Sequence, residues 1–365
     1  MSIPAERLAK KARIKRATQA AQGRLGEIDA AAAEQLTAIY REAQADIEAR
    51  IRAIGGPDGS MRLASLQQVR DQLAAAVSAL AERRDGLLLE QLDEAARVGA
   101  SVYAPELGIS TQRIANRAAQ YMREFVAEDG LQLSDRLWRL DSQATESMAN
   151  AVQRAVISGT DASRAAQDYL NQGAPVPAEI SARIRDADAG RVARQAASNL
   201  MTGEMSPHAQ ALRVFRTEIN RAHGTAYRDA GFEDPEAIGT RFLLSPRHPR
   251  PDICDMHASA DVYGLGPGVY PRGKSPWPAH PNTLSFEEIV YADEVTPRMP
   301  EPRVEWVRKQ PREVRAGVLG GEAKRRAFDA GHIEEGAIAT PWRVVRQRLQ
   351  QRGIDTDEFE RQGAA

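Results

Sequence analysis

A chain of 365 residues with a formal net charge of −1 has no bulk positive charge for binding nucleic acid, so such binding would need a local basic patch. Aromatic residues make up only 5% of the chain and alanine runs such as 30–33 are frequent, a composition typical of long helices and helical bundles. The single cysteine, Cys254, excludes an intrachain disulfide, and the length favours two or three domains.

The sequence lacks the features of a membrane or secreted protein. No run approaches the roughly 18 consecutive apolar residues that cross a bilayer. The charged residues 1–16 are not followed by the apolar core of a secretory signal. We therefore expect a protein that folds inside the cell and has no membrane partner.

The first predicted elements are two long amphipathic helices that form an antiparallel hairpin over residues 1–109. Apolar residues recur every three or four positions from Leu25 to Ile54, and the same rhythm resumes at Leu66 after the break GGPDG. Helices joined by a short turn pack most simply side by side in opposite directions. We expect about 50 residues per leg, or about 70 Å at a rise of 1.5 Å per residue.

Three further segments are predicted after the hairpin. Residues 110–205 have the pattern of a bundle of shorter helices, and residues 206–295 open with a helix that Ser206 caps and Gly231 ends. Proline and glycine then become frequent around the short strand TRFLLS, which indicates a small, loop-rich α+β module. Residues 296–365 return to a helical, arginine-rich pattern. The predicted fold is therefore mainly α with a small α+β module.

Within this module, a cysteine and several histidines have a spacing that suits a metal ion. Cys254 and His257 have two residues between them in a predicted tight turn, and His280 can return to them across a hairpin. Thiolate and imidazole are preferred ligands of tetrahedral zinc. The fourth ligand stays open among His248, Asp252 and Asp255. The alternative is a free buried cysteine among surface histidines, which the spacing does not exclude.

The helix before the strand carries two neighbouring stripes of side chains. One is apolar and is predicted to face the core: Phe215, Ile219, Ala222 and Ala226. The other is polar and could clamp the loops of the module or line a site: Arg216, Asn220, His223 and Tyr227. We expect this helix to stabilise the domain through Arg216, Glu218, Asn220 and His223. The alternative is a solvated face with ordinary ion pairs, such as Glu218 with Arg221.

The first helix begins with a basic segment in which Glu6 is the only acid. Its cations are Arg7, Lys10, Lys11, Arg13, Lys15, Arg16 and Arg24. Such a segment can bind phosphates by counterion release, or it can contact an acidic protein surface. No aromatic residue is interleaved that could stack on bases. The sequence leaves both kinds of partner open.

Common catalytic signatures are missing from the sequence. It has no Walker loop, no G-x-S-x-G elbow and no glycine-rich dinucleotide fingerprint after a strand. Nothing supports catalysis by those routes, and we expect a protein that is not an enzyme.

Taken in chain order, several pieces of the sequence resemble the Mu-F domain of phage head-morphogenesis proteins. RTEINRAHGTAYRDAG is followed by a strand, by PDICDMHASADVYGL and by WPAHPN, a match over about residues 206–295. The segment VEWVRKQPREVRAGVLGGEAKRRAFDAG at 304–331 resembles the downstream part of the same family.

The resemblance implies roles for individual residues. Cys254, His257 and His280 would be ligands of one zinc ion. Where the family closes its motif with P-x-H-P-N-C-R-C, this chain reads HPNTLSF, so that Thr283 and Ser285 stand in place of the expected thiols. The matched positions therefore supply no fourth ligand.

The resemblance also implies a function. Members of the family are minor capsid proteins that associate with the phage portal protein and with shell or scaffold proteins, in several copies per particle. They contact packaged DNA or assist its exit. On this interpretation the chain is made in the host cytoplasm and resides in the capsid interior near the portal vertex. The helical arm would dock on the portal or shell, and the basic segment would touch DNA or an acidic portal surface.

Two other functions are alternatives. Cys254, His257, His280 and Asn282 could form a metal-dependent nuclease site, and Mu-F domains also occur fused to toxin enzymes. The chain could also be a DNA-binding protein that acts outside the particle, which would bind DNA tightly and with a steep salt dependence.

Overall fold

The computed structural model describes residues 5–126, 130–157, 162–181, 187–246, 248–280 and 283–361. Over this part of the chain the fold is mainly helical with a small amount of antiparallel sheet, which confirms the predicted fold class. Among the described residues, no helix combines the length and the apolar character that crossing a bilayer requires.

The helices and strands follow one another in a simple order. The elements up to residue 231 are α1 (Ala5–Ile54), β1 (Ser60–Met61), α2 (Leu66–Ser101), α3 (Ala104–Leu107), α4 (Thr111–Glu124), α5 (Leu133–Ile157), α6 (Ala162–Asn171), α7 (Ala178–Ser181), β2 (Ala187–Asp188), α8 (Ala189–Ser198) and α9 (Pro207–Gly231). They are followed by β3 (Ala237–Leu243), α10 (Ile253–Ser259), β4 (Val269–Pro271), β5 (Phe286–Tyr291), α11 (Arg303–Lys309), α12 (Arg312–Leu319), α13 (Glu322–Asp329), α14 (Trp342–Gln351) and α15 (Asp357–Arg361).

The chain divides into two compact units, each assembled from segments that are distant in sequence. The sheet unit comprises Met1–Gln22, Ala96–Ala118 and Asn220–Ala365, and the hairpin unit comprises Gly23–Ala95 and Ala119–Ile219. The four segments predicted from the sequence follow the order of the chain, whereas these units do not, because α1, α2, α4 and α9 each contribute residues to both. The apolar pattern of such a helix continues without a break across the unit boundary, so the sequence does not indicate where the boundary lies.

In the hairpin unit, α1 and α2 run antiparallel, as predicted. Their polar contacts are Arg24–Glu94, Glu42–Arg83 and Arg50–Gln72. As the residue number increases along α1, the number of the contacting residue in α2 decreases, which is the pattern of antiparallel helices. The first leg has the expected 50 residues. The second has only 36, and the prediction of two equal legs is wrong because β1 and the 3-10 turn Leu63–Ser65 occupy the chain before α2 begins.

A buried arginine connects α2 to α5 in the hairpin unit. The side chain of Arg84 is 1% exposed, with Nη1 2.6 Å from Asp141 Oδ1 and Nη2 2.7 Å from Asp85 Oδ1. Asp85 belongs to α2 itself, so the contact with Asp141 is the one that joins the two helices. A buried guanidinium needs such partners, and this contact therefore helps to position α5 against the hairpin.

The sheet unit is built around a three-stranded antiparallel sheet of order β4-β3-β5. In the central strand, Thr240 stands opposite Tyr270 of β4 and Ile289 of β5. The predicted strand TRFLLS covers the second half of β3 and the two residues after it. A separate pair of two-residue strands, β1 with β2, belongs to the hairpin unit and has Ser60 opposite Asp188.

Helix α9 has the predicted bounds. The Ser206 hydroxyl accepts a hydrogen bond from the Ala209 amide at 3.2 Å, and Pro207 is the first helical residue. Gly231 is the last residue, but it does not adopt a left-handed conformation. A Cβ at this position would lie 2.4 Å from Ile289 Cγ1, so the glycine makes room for β5. The apolar stripe is at most 2% exposed, which confirms that it faces the core: Phe215, Ile219, Ala222 and Ala226.

The helices after Pro300 share one hydrophobic core with α10. This core includes Met256 and Ala260 of α10 together with Trp306, Val318 and other apolar residues of α11–α15. The first turn of α11 is capped from a distance, because the Glu335 carboxylate accepts hydrogen bonds from the amides of residues 303 and 304 at 2.9 and 3.0 Å. No separate core therefore begins at the predicted boundary after residue 295.

Candidate metal-binding site

The candidate site forms where the chain enters α10. Asp252 caps this helix by accepting a hydrogen bond from the Cys254 amide at 2.7 Å, and Asp255 accepts one from the Asp252 amide at 2.7 Å. This reciprocal arrangement is a capping box. It fixes both carboxylates and the thiol in the first turn of α10.

Three donor atoms converge beside that turn. His280 Nε2 lies 3.2 Å from Cys254 Sγ and 3.2 Å from Asp252 Oδ2. The donor atoms of these three residues all lie within 4.8 Å of one another, close enough to share one metal ion. Atoms bound to one tetrahedral zinc ion lie roughly 3.4 to 3.6 Å apart. The observed separations are slightly shorter, so a small outward movement would accommodate an ion.

A second group of possible ligands shares Asp252 with the first. His248 Nε2 lies 2.9 Å from Asp255 Oδ2 and 3.9 Å from Asp252 Oδ1. Burial opposes ionisation of Asp252, but hydrogen bonds from His280 and from the Cys254 amide outweigh it and lower the pKa of Asp252 to about 2. The carboxylate is therefore ionised at neutral pH, the form in which a metal ion would bind it.

The structure brings together three of the five predicted ligands, Asp252, Cys254 and His280, and places His248 in the second group with Asp252 and Asp255. His257 is not among them. Residues 253–259 form a helix instead of a tight turn, and the His257 ring is buried against Phe242 and Tyr270. Its Nδ1 is 3.4 Å from the Tyr270 hydroxyl, which donates to the His257 carbonyl at 3.0 Å.

The arrangement of the three donors suits a metal better than a proton relay. In a nucleophile–histidine–acid relay, the acid binds the ring nitrogen opposite the one that takes the proton of the nucleophile. Here Cys254 and Asp252 both approach Nε2 of His280. Cys254 is also only 1% exposed, so a substrate in solution has no route to the thiol. Asn282, which was considered for a nuclease site, lies outside the described residues.

Helix α9 holds the loop that carries His280. The Asn220 amide donates to the carbonyls of Thr283 and Ser285 at 3.0 and 3.3 Å, and the Trp277 indole donates to the Ser285 carbonyl at 2.8 Å. Gly224 lies against the Trp277 ring, where a Cβ would be 2.1 Å from the nearest ring carbon. Of the polar stripe, Asn220 therefore holds the loop, which is one of the two roles that the sequence left open for the stripe. The sequence analysis does not single out Gly224, although a glycine inside a helical pattern often indicates close packing.

The solvated-face alternative for the polar stripe is wrong. Asn220, His223 and Tyr227 are at most 6% exposed, and Glu218 is 2% exposed. Arg216, in the hairpin unit, places its Nε 3.2 Å from Asp29 Oδ2. The stripe is buried because helix α9 is covered on more than its apolar side.

The basic segment of α1 is largely paired within the sheet unit. Its ion pairs are Arg7 with Glu236 and Asp293, Lys10 with Asp234, Lys11 with Asp293 and Glu294, and Arg13 with Glu106. Lys15 and Arg16 are exposed and have no ion pair among the described residues. Acids of the same unit therefore compensate the charges of Arg7, Lys10, Lys11 and Arg13.

Comparisons of the chain with protein-family models, with curated proteins and with solved structures gave no match. The family resemblance therefore depends on the motif residues alone.

Replacing Gly224 with alanine tests the packing of α9 against Trp277. The new methyl group would overlap the ring, and overpacking of this kind costs about 1 to 3 kcal/mol or more. We expect a lower free energy of unfolding in urea. The matched control is Gly86→Ala in the middle of α2, where a Cβ meets nothing within 4 Å and alanine should stabilise the helix by up to about 1 kcal/mol. Equal effects of the two substitutions would contradict the close contact.

The buried ring of His223 predicts a loss of stability in acid. Burial lowers the pKa of His223 to about 4, and its Nε2 has no hydrogen-bond partner among the described residues. Only the unfolded chain binds a proton between about pH 6.5 and 4, so stability is complete above this range and falls as the pH decreases through it. From pH 7 to 5 the loss should be about 2 kcal/mol.

The measurement is urea unfolding of the wild type and of His223→Gln at several pH values. The difference between the free energies of unfolding of the two proteins should change by about 2 kcal/mol from pH 7 to 5. Parallel curves would show that His223 does not contribute.

Proposed function

We propose that the chain is a minor head protein of the phage Mu-F type, with a structural role beside the portal. The observation that carries the proposal is that three separate motif segments meet in one place. Asn220 and Gly224 come from the R-T-E helix, Cys254 from the C-x2-H segment, and Trp277 and His280 from the W-P-A-H-P-N segment. The residues that carry the resemblance are therefore the ones that hold the module together.

The site itself favours a structural role over catalysis. The thiol is buried, and Cys254 and Asp252 approach the same nitrogen of His280, which is unsuited to a proton relay. The motif residues Asn220, Gly224 and Trp277 have contacts that explain them by packing or hydrogen bonding. The sheet unit then serves as a compact module, and the hairpin unit provides long exposed helical surface for shell, scaffold or portal proteins. Such a protein is made in the host cytoplasm and enters the capsid interior in several copies.

We further propose that Asp252, Cys254 and His280 hold one structural zinc ion. Thiolate, imidazole and carboxylate are all zinc ligands, and the three donor atoms already converge. The fourth place of the family motif is taken by Thr283, whose Oγ1 lies 3.6 Å from Cys254 Sγ and is a poorer ligand than a thiolate. Bound zinc would cross-link the start of α10 to the loop before β5 and so stabilise the fold of the module.

Particle composition tests the proposed function. We expect mass spectrometry to find the chain in procapsids and in mature virions of the phage that encodes it, and to find it with the portal oligomer after mild disassembly. Gly86→Ala should enter particles normally, whereas Gly224→Ala should enter poorly because its module is misfolded. Absence of the wild-type chain from both particles would contradict the proposal. So would metal-dependent nuclease activity that His280→Ala abolishes.

Metal content tests the proposed zinc site. The purified full-length chain should contain close to one zinc ion, and Cys254→Ser or His280→Ala should lose it, because a site with two protein donors binds far more weakly. His332→Ala is the control, since that ring packs on Phe359 away from the site. If the folded wild-type protein contains no zinc, the proposed zinc site is contradicted, but the proposed family is not.

A further inference from the structure

A cavity of about 510 Å³ is bounded by the start of α1 and by strand β5. Its wall is formed by residues 11–18 of α1, by Tyr103, by α9, by the strands β3 and β5, and by the turn after β5. All of these residues belong to the sheet unit. Pockets that bind small molecules have volumes of about 300 to 1,000 Å³, so this cavity is large enough for a ligand.

One part of the wall is a chain of three hydroxyl groups. The Tyr227 hydroxyl lies 3.1 Å from the Tyr103 hydroxyl and 3.3 Å from Thr18 Oγ1, and the three residues are at most 3% exposed. Each contact uses one hydroxyl proton, so the two contacts use two of the three protons. The third proton has no acceptor among the side chains and carbonyls of the described residues. A buried donor of this kind favours a bound molecule that offers an acceptor.

The wall also carries charged side chains without an ion pair. Arg241 of β3 stands directly opposite Glu288 of β5, a placement in which opposite charges stabilise a sheet by pairing. Neither residue has an ion-pair partner in the part of the chain that the structure describes, and the same is true of Lys15. Burial raises the pKa of Tyr103 and Tyr227, and the charge of Glu288 adds to this effect. The Glu288 carboxylate therefore lies near the hydroxyl chain.

The other two charged residues of the wall compensate each other. Lys11 Nζ lies 3.1 Å from Glu294 Oε1 and 4.8 Å from the centroid of the Tyr291 ring. The charges that remain are two cations, Lys15 and Arg241, and one anion, Glu288. A ligand of complementary charge has two anionic groups and one cationic group.

Acidic amino acids carry this set of groups. A carboxylate accepts hydrogen bonds from hydroxyl and guanidinium groups, and an ammonium group donates to a carboxylate such as that of Glu288. A simple phosphate or dicarboxylate would match the two cations but would leave Glu288 without a partner beside a second anion, which is unfavourable. The side chains of Ile14 and Val290 add an apolar part to the wall, against which methylene groups can pack.

We propose that this cavity binds a free acidic amino acid, L-glutamate or L-aspartate. Arg241 and the hydroxyl chain bind the α-carboxylate, Glu288 binds the ammonium group, and Lys15 binds the side-chain carboxylate. The inference goes beyond the proposed role in the head and does not depend on it, because it uses residues of the sheet unit alone.

The test is isothermal titration calorimetry of the full-length chain with L-glutamate, L-aspartate and two matched probes. Glutarate lacks the ammonium group of glutamate, and L-glutamine lacks the charge of its side-chain carboxylate. We expect saturable binding of one molecule of glutamate or aspartate per chain. Glutarate and glutamine should bind roughly tenfold more weakly or worse, because each lacks one charge-assisted interaction.

Variants assign each group of the ligand to a residue. E288Q should lose the preference for glutamate over glutarate, and K15Q should lose the preference for glutamate over glutamine. R241Q should bind all of the probes roughly tenfold more weakly. The controls are Lys274→Gln and Glu313→Gln, which remove exposed charges that are not part of the wall and should leave glutamate affinity nearly unchanged.

Two results would overturn the proposal. One is the absence of saturable binding of glutamate and aspartate by the folded wild type, as expected of a cavity that holds water alone. The other is full retention of both preferences in E288Q and K15Q. If R241Q unfolds at a lower temperature than the wild type, the two preferences decide the matter, since K15Q changes an exposed residue. A chain that binds glutamate but is absent from phage particles contradicts the role in the head and supports this inference.

Discussion

The sheet unit depends on the close approach of α9 to the loop that precedes β5. That approach requires the absence of a side chain at Gly224, where the Trp277 ring lies, and the presence of the Asn220 amide, which donates to two loop carbonyls. The first condition sets the distance between helix and loop, and the second satisfies buried carbonyls that would otherwise be costly. His280 is carried by this loop, so the clamp also positions one of the candidate metal ligands.

Helix α10 links the candidate metal site to the rest of the sheet unit because its two sides serve different clusters. Cys254 packs with Phe242, Tyr270 and Trp277, whereas Met256 packs with the helices at the end of the chain. A seven-residue helix has little stability of its own. Its capping box and its burial on both sides hold it in place, so the geometry around Cys254 depends on packing that extends to α15.

The sequence predicted the elements whose signals are local. The bounds of α9 follow from Ser206, Pro207 and Gly231, and the buried stripe from the helical period, because caps and periodicity act over a few residues. The candidate site was predicted in part. Asp252, Cys254 and His280 meet, and His248 belongs to a second group that shares Asp252, but His257 is in neither, since the spacing does not show that its ring packs against Tyr270. The acids that pair with Arg7, Lys10 and Lys11 are more than 200 positions away, and no local pattern marks such partners.

Amide hydrogen exchange of the full chain, followed by mass spectrometry, tests the central claim most directly. In the wild type, peptides covering 253–259 and 283–291 should exchange slowly and at similar rates, because one clamp stabilises both. Asn220→Ala should accelerate both peptides together and leave peptides of α2 within 69–95 unchanged. Rapid exchange of 283–291 in the wild type, or acceleration confined to the neighbourhood of residue 220, would contradict the account.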